Sequence, residues 1–119
     1  MQIIHDTTDF YIDDKTAVAI GKFDGVHRGH EALLSRILEK KRDKMKTVVF
    51  TFHPSASVFF GHALGGELTT REEKRTCFEK MGIDILIEFP LNIQTAATPP
   101  EEFVREILVK RMNTGFIAS

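Results

Sequence analysis

At 119 residues the chain has room for one domain and little for a second, and 42% hydrophobic with 28% charged residues is the balance of a folded globular protein rather than a disordered or fibrous one. A formal charge of −1 supplies no basic footprint for nucleic acid, and no apolar run approaches the roughly 20 residues of a membrane span. Cys77 stands alone, which rules out an intramolecular disulfide, argues against a cysteine metal site, and fits a reducing, cytoplasmic compartment.

Residues 1–12 lack the basic-then-apolar layout of a signal peptide and are read as a further strand. Ala17-Val18-Ala19-Ile20 is a short buried strand ending at Gly21. From Gly29 to Arg42 the spacing of Leu33, Leu34, Ile37 and Leu38 predicts a helix, and Lys40-Lys41-Arg42 suits the negative pole of its dipole. Thr47 to Phe52 is β-branched and aromatic, a second core strand. Thr70 with Glu73 fits a capping box opening a helix that carries Phe78 and Met81 inward and stops at Gly82. Cys77 on that helix reads as a small buried hydrophobe. Ile83 to Ile87 is the third core strand. Thr98-Pro99-Pro100-Glu101 starts another helix, striped by Phe103, Ile107, Leu108 and Met112, and Phe116-Ile117-Ala118 begins a last strand. Alternation of this kind predicts an open, doubly wound parallel sheet with right-handed crossovers.

In such a sheet ligands bind beyond the carboxyl ends of the strands. The segment there is Gly21-Lys22-Phe23-Asp24-Gly25-Val26-His27-Arg28-Gly29-His30. Gly21 and Gly25 allow tight turns and close backbone approach, and the following helix aims free N–H groups and a positive dipole end at the same place, which suits a phosphate. His27 and His30, three residues apart, can share a face and donate to phosphate oxygens. The pair alone also fits a turn residue beside a surface residue, or a metal site for which no third ligand is evident.

The wider context narrows these options. His27-Arg28-Gly29-His30 has the His-x-Gly-His form of nucleotidylyltransferases, and the surrounding Gly-x-Phe-Asp-Gly-Val-His-x-Gly-His resembles the signature of bacterial FAD synthetases, the adenylyltransferase half of bifunctional riboflavin kinase/FMN adenylyltransferases. Val49-Phe50-Thr51-Phe52, Leu68-Thr69-Thr70 with Glu73-Lys74, Gly82-Ile83-Asp84, and Pro100-Glu101-Glu102-Phe103-Val104 resemble further family stretches in the same order, so the likeness runs from Ala17 onward. It implies a Rossmann-like sheet and adenylyl transfer from ATP, with Mg²⁺, to FMN, giving FAD and pyrophosphate. His27 and His30 would be the catalytic residues. Gly21, Lys22, Phe23, Asp24, Gly25 and Gly29, with the two histidines, would receive ATP. Phe52, Pro54, Phe59 and Phe60 would stand on the flavin side. For Phe59 and Phe60, packing in the core is the competing reading.

Two departures stand out. Lys22 occupies a place where the family often has asparagine, and His53-Pro54-Ser55 replaces its Pro-His-Pro. The family's later Gly-x-Asp-x-x-Phe-Gly stretch, arginine-bearing nucleotide segment and riboflavin kinase barrel do not follow. The chain therefore reads as a C-terminally incomplete adenylyltransferase domain, 1–119, with weak or undetectable transfer, no kinase activity, and a sheet edge open to self-association. The alternatives are a non-catalytic nucleotide-binding fragment, or a nucleotidylyltransferase using another phosphorylated acceptor.

Overall fold

The structure, a computed structural model, describes residues 1–21, 23, 28–53 and 71–118, and of Arg28, Gly29, His30, Pro100 and Val104 the backbone. Five strands, β1 (Gln2–His5), β2 (Thr16–Ile20), β3 (Lys46–His53), β4 (Ile85–Pro90) and β5 (Thr114–Ala118), form one sheet in the order β1-β4-β3-β2-β5. Every pairing is parallel. The predicted α/β sheet is thus the observed one, with the N-terminal segment forming its edge strand beside β4.

Central strands of such a sheet are buried on both faces, and their alternate side chains feed two cores. Val18, Val48, Phe50, Ile85, Ile87 and Phe89 point to one face, where Phe10, Ile12, Leu108 and Met112 cover them. Ala17, Ala19, Val49 and Leu86 point to the other, under Leu34, Ile37 and Phe78. Helix α1 (Arg28–Leu38) and helix α2 (Arg71–Met81) supply this second cover. Alanines at 17 and 19 leave space for the larger helical side chains.

The helix expected to reach Arg42 is α-helical only to Leu38. A 3₁₀ turn over Glu39–Asp43 follows, and Lys44 in the left-handed region (φ 62°) ends it by accepting the turn's reversal. Helix α2 ends at Met81 as the glycine signal predicts: Gly82 has φ 90° and its N–H donates to Glu79 O. Thr70, the expected cap of α2, lies outside the described residues.

The strand expected from Ile83 starts two positions later. Asp84 is diverted into a reciprocal pairing with Thr47: its carboxylate accepts from Thr47 N–H at 2.9 Å and Thr47 Oγ1 at 3.0 Å, while its own N–H donates to Thr47 Oγ1 at 3.0 Å. A short helix not foreseen, α3 (Ile93–Ala96), is capped by Asn92, whose side chain accepts from Thr95 N–H while Thr95 Oγ1 accepts from Asn92 N–H. Helix α4 (Pro100–Phe103) begins on the predicted proline and widens into π turns over Val104–Arg111, closed by Met112 N–H donating to Ile107 O. Leu108 and Met112 are buried and Phe103 and Ile107 pack beside them, the stripe expected of this helix.

Candidate functional site

The sheet order reverses at β2. The chain moves outward from β2 to β3 and β4, then returns to lay β5 on the other side of β2. Crossovers on either side of β2 therefore leave opposite ways, and a crevice opens at the carboxyl ends of β2 and β5. Ala19 pairs with Ala118 at this end, and the chain leaves β2 at Gly21.

Gly21 N–H donates to Phe50 O at 3.2 Å, extending the β2–β3 ladder by one bond. A β-carbon at Gly21 would lie 3.0 Å from Phe23 Cε2, tighter than ordinary contact, so the glycine gives the Phe23 ring room beside the strand end. Phe23 itself has φ 53° and is wholly buried. Its ring meets Phe78 of α2 edge-on, with centroids 5.6 Å apart and planes at 86°. What Phe23 gives the segment through its side chain is therefore shape from beneath.

Helix α1 begins at Arg28, so the backbone of Gly29 and His30 lies in its first turn. First-turn N–H groups have no partner within the helix, and they carry the positive end of its dipole. Of the sequence-predicted ATP residues, Gly21 and Phe23 are described just beyond β2, and the backbone of Gly29 and His30 in the first turn of α1. Lys22, Asp24, Gly25 and His27 lie outside the described residues, as do Pro54, Phe59 and Phe60 of the expected flavin side.

Phe52 is described. It sits on the opposite face from Phe23, in an aromatic cluster with Phe50 (centroids 5.6 Å), Phe89 (6.0 Å) and Phe103 (6.2 Å), and is half-buried. His53 ends β3 opposite Pro90, its carbonyl accepting from Leu91 N–H.

A second polar group, invisible to motif reading, lies near the same end of the sheet. Glu88 of β4 is buried on the α2 face and receives Arg75 and Arg71 from that helix, at 2.6 Å and 2.8 Å. Burial pushes the Glu88 carboxyl up, but the hydrogen bonds of Arg75 and Arg71 outweigh it and hold the group below the usual glutamate range. The same hydrogen bonding raises Arg75. Arg71 Nη2 also stands 3.5 Å from Asp6, just beyond β1, and makes no hydrogen bond there. A residue inside an apolar strand run gives little sequence warning of such a role. The cue was a lone carboxylate, Glu88, where the core pattern asks for an apolar side chain.

Among the described residues no three His, Cys, Asp or Glu side chains group to hold a metal ion. A surface crevice of about 500 Å³ lies between Asp9–Tyr11 and the wide helix, lined also by Glu106, Lys110 and Arg111, but those cations already pair with Glu106 and Asp9. No helix among the described residues is long and apolar enough to cross a membrane.

A family model for FAD synthetase matches residues 10–119. The chain is 33% identical over 108 residues to the bifunctional riboflavin kinase/FMN adenylyltransferase of Buchnera aphidicola subsp. Schizaphis graminum, covering 89% of this chain and 35% of that protein. It is 37% identical over 111 residues to the FAD synthetase of Listeria monocytogenes, covering 91% and 45% respectively. The Escherichia coli bifunctional riboflavin kinase/FMN adenylyltransferase is 32% identical over 103 residues, 85% of this chain and 33% of that one. The chain thus spans about a third to somewhat under half the length of these curated relatives. The crystal structure of a macrolide-efflux protein from Streptococcus pneumoniae superposes with a TM-score of 0.83 over 99% of this chain and 40% of its own, at 22% identity, a likeness of fold.

Proposed function

The chain belongs to the FAD synthetase family, and on that premise we propose that residues 1–119 are part of an FMN adenylyltransferase domain that receives ATP at the β2–α1 junction. The observation that carries this reading is the position of the Gly21-to-His30 motif: it leaves β2 where the sheet order reverses and enters the first turn of α1. That junction combines main-chain N–H donors, a helix dipole and a glycine-permitted close approach, the chemistry a polyphosphate needs.

In the proposed reaction a phosphate oxygen of FMN attacks the α-phosphorus of ATP. The bond from that phosphorus to the bridging oxygen breaks, and pyrophosphate leaves with the electron pair. The FMN phosphate is already an anion, so no protein nucleophile or base is required, and the work is positioning and charge stabilisation. His27 and His30 donate to the phosphates. The α1 N–H groups at Gly29 and His30 neutralise the charge that builds on the leaving side, and Gly21, Lys22, Phe23, Asp24 and Gly25 shape the receiving segment. Mg²⁺ arrives with ATP as part of the substrate, held by phosphate oxygens and water as that cation prefers. Phe52, Pro54, Phe59 and Phe60 are proposed for the flavin side. A cytoplasmic location accompanies this reading, with small-molecule partners, neither nucleic acid nor membrane, and self-association through the outer edge of β5.

The test is binding of Mg²⁺–ATP to this chain by calorimetry, alongside an assay for labelled FAD from α-labelled ATP and FMN, with pantetheine phosphate as a second acceptor. ATP binding with label passing to FMN alone is the expected pattern, and transfer by this chain is expected to be slow. ATP bound with no FAD formed identifies a nucleotide-binding fragment. Label passing to the other acceptor replaces FMN in the assignment, and no ATP binding at all removes the reading.

A further inference from the structure

The segment leaving β2 is plugged into the core by a ring it carries itself. Phe23 lies only two residues beyond Gly21, yet it is fully buried among Ala17, Ala19, Leu34, Ile37 and Val49 on the α1–α2 face. Its φ of 53° is one that bulky residues rarely adopt, so the conformation persists only while its surroundings hold it. Its ring also presses on the space a β-carbon at Gly21 would take, which couples its position to the exit from β2.

The seat for that ring comes from a distant part of the chain. Phe78, wholly buried on α2, meets Phe23 edge-on at 5.6 Å. Helix α2 is itself fixed to the sheet one turn earlier, where Arg75 and Arg71 fork onto the buried carboxylate of Glu88. Phe78 therefore stands on a helix whose place is set by β4, and it meets the Phe23 ring at right angles just beyond the end of β2.

We propose that Phe78 is a positioning residue for nucleotide binding: acting through the Phe23 ring, it fixes Gly21 and Phe23 at the exit from β2, where the triphosphate is received, without touching the nucleotide. The inference rests on the adenylyltransferase reading above and deepens it, because it assigns α2 a part in the ATP site.

The experiment compares Phe78→Leu, which keeps an apolar side chain of similar bulk, with Met112→Ala, an equally buried change on the opposite face of the sheet. Mg²⁺–ATP affinity is measured by calorimetry on this chain under conditions where each variant is folded, and amide exchange at Gly21 is followed in parallel. Phe78→Leu is expected to weaken ATP about tenfold, as for misplacement of binding groups by a remote change, and to speed Gly21 exchange. Met112→Ala is expected to lower thermal stability while leaving both readouts near the parent values. Unchanged ATP affinity in folded Phe78→Leu overturns the inference and leaves the functional reading standing. Equal weakening by Met112→Ala also overturns it, because the effect would then follow general stability. A parent chain that binds no ATP overturns the functional reading and the inference with it. Should Phe78→Leu not fold, Phe78→Met goes through the same two measurements with the same outcomes.

Discussion

Glu88 and Arg75 form a bidentate pair between β4 and α2, with Arg75 Nη2 donating to Oε1 at 2.6 Å and Nε to Oε2 at 3.1 Å. A two-point fork fixes direction as well as distance. Arg71 donates to the same Oε1 at 2.8 Å, so one buried carboxylate anchors two successive turns of the helix.

The pH dependence of folding should report this anchor. Burial raises the Glu88 carboxyl and the two guanidinium groups lower it further, so its folded value lies below the ordinary 4.5. The stabilisation is complete above about pH 4.5 and is lost as pH falls through the lower, folded value. Glu88→Gln should lose stability at pH 7 and show a flatter dependence below pH 4.5, measured by urea unfolding at a series of pH values. Glu88→Ala, which strands both arginines, should cost about 2–3 kcal/mol, less than a fully buried pair because each arginine keeps some contact with water. A Glu88→Gln profile parallel to the parent's in acid would place the acid sensitivity elsewhere.

Gly82 and Gly115 should differ in their response to alanine. Gly82 has φ 90° and open space around it, with Lys41 Nζ 3.6 Å from where a β-carbon would lie, so Gly82→Ala meets backbone strain alone and should cost about 1 kcal/mol. Gly115 is the extra residue of a bulge between β5 and β2, and its β-carbon would fall 2.6 Å from Lys15 Cε. Lys15 Cγ and Cδ would lie at 3.0 and 3.1 Å, but the side chain is exposed and can rotate aside as a whole, so Gly115→Ala should change stability by less than about 0.5 kcal/mol. Thermal unfolding of both variants tests the contrast, and a larger loss at Gly115 would refute it.

Where turnover is measurable, His30→Ala should slow adenylyl transfer by about 10²–10³, the effect of removing one donor to charge that develops in the transition state. Single-turnover rates at saturating ATP separate this from weakened binding. Near-normal turnover would take His30 out of the mechanism.

Strand β5 has a hydrogen-bonded neighbour on the β2 side only among the described residues, and Ile117 on it is 44% exposed. Open apolar edges recruit further strands. Sedimentation velocity should therefore show concentration-dependent association, reduced by Ile117→Lys. A single monomer peak across the accessible concentration range would count against it.

The elements legible in the sequence were those written in local pattern. Ala17–Ile20 and Thr47–Phe52 announce themselves by apolar and β-branched runs, and Gly82 and Pro100 by helix punctuation. Distant pairings were not legible. Nothing near Asp84 says that it will trade hydrogen bonds with Thr47 and delay β4 by two residues, and nothing near Glu88 names Arg71 and Arg75. Helix α3 was missed because its capping box uses Asn92 and Thr95 instead of the commoner hydroxyl-and-glutamate pair. At the site, the order of residues from Gly21 to His30 pointed to the strand-to-helix junction. It did not disclose that Phe23 turns inward, because an aromatic beside two glycines looks the same whether it faces a ligand or the core.

The return of β5 to the flank of β2 has a temporal side. Strand β2 pairs with β3, close to it in sequence, but its other neighbour is β5, whose Ala118 stands opposite Ala19 at the crevice end. Strands β2 and β3 can thus pair while the crevice beyond β2 still lacks its β5 side. Completing that crevice therefore waits on the β2–β5 contact, one of long sequence separation and slow loop closure.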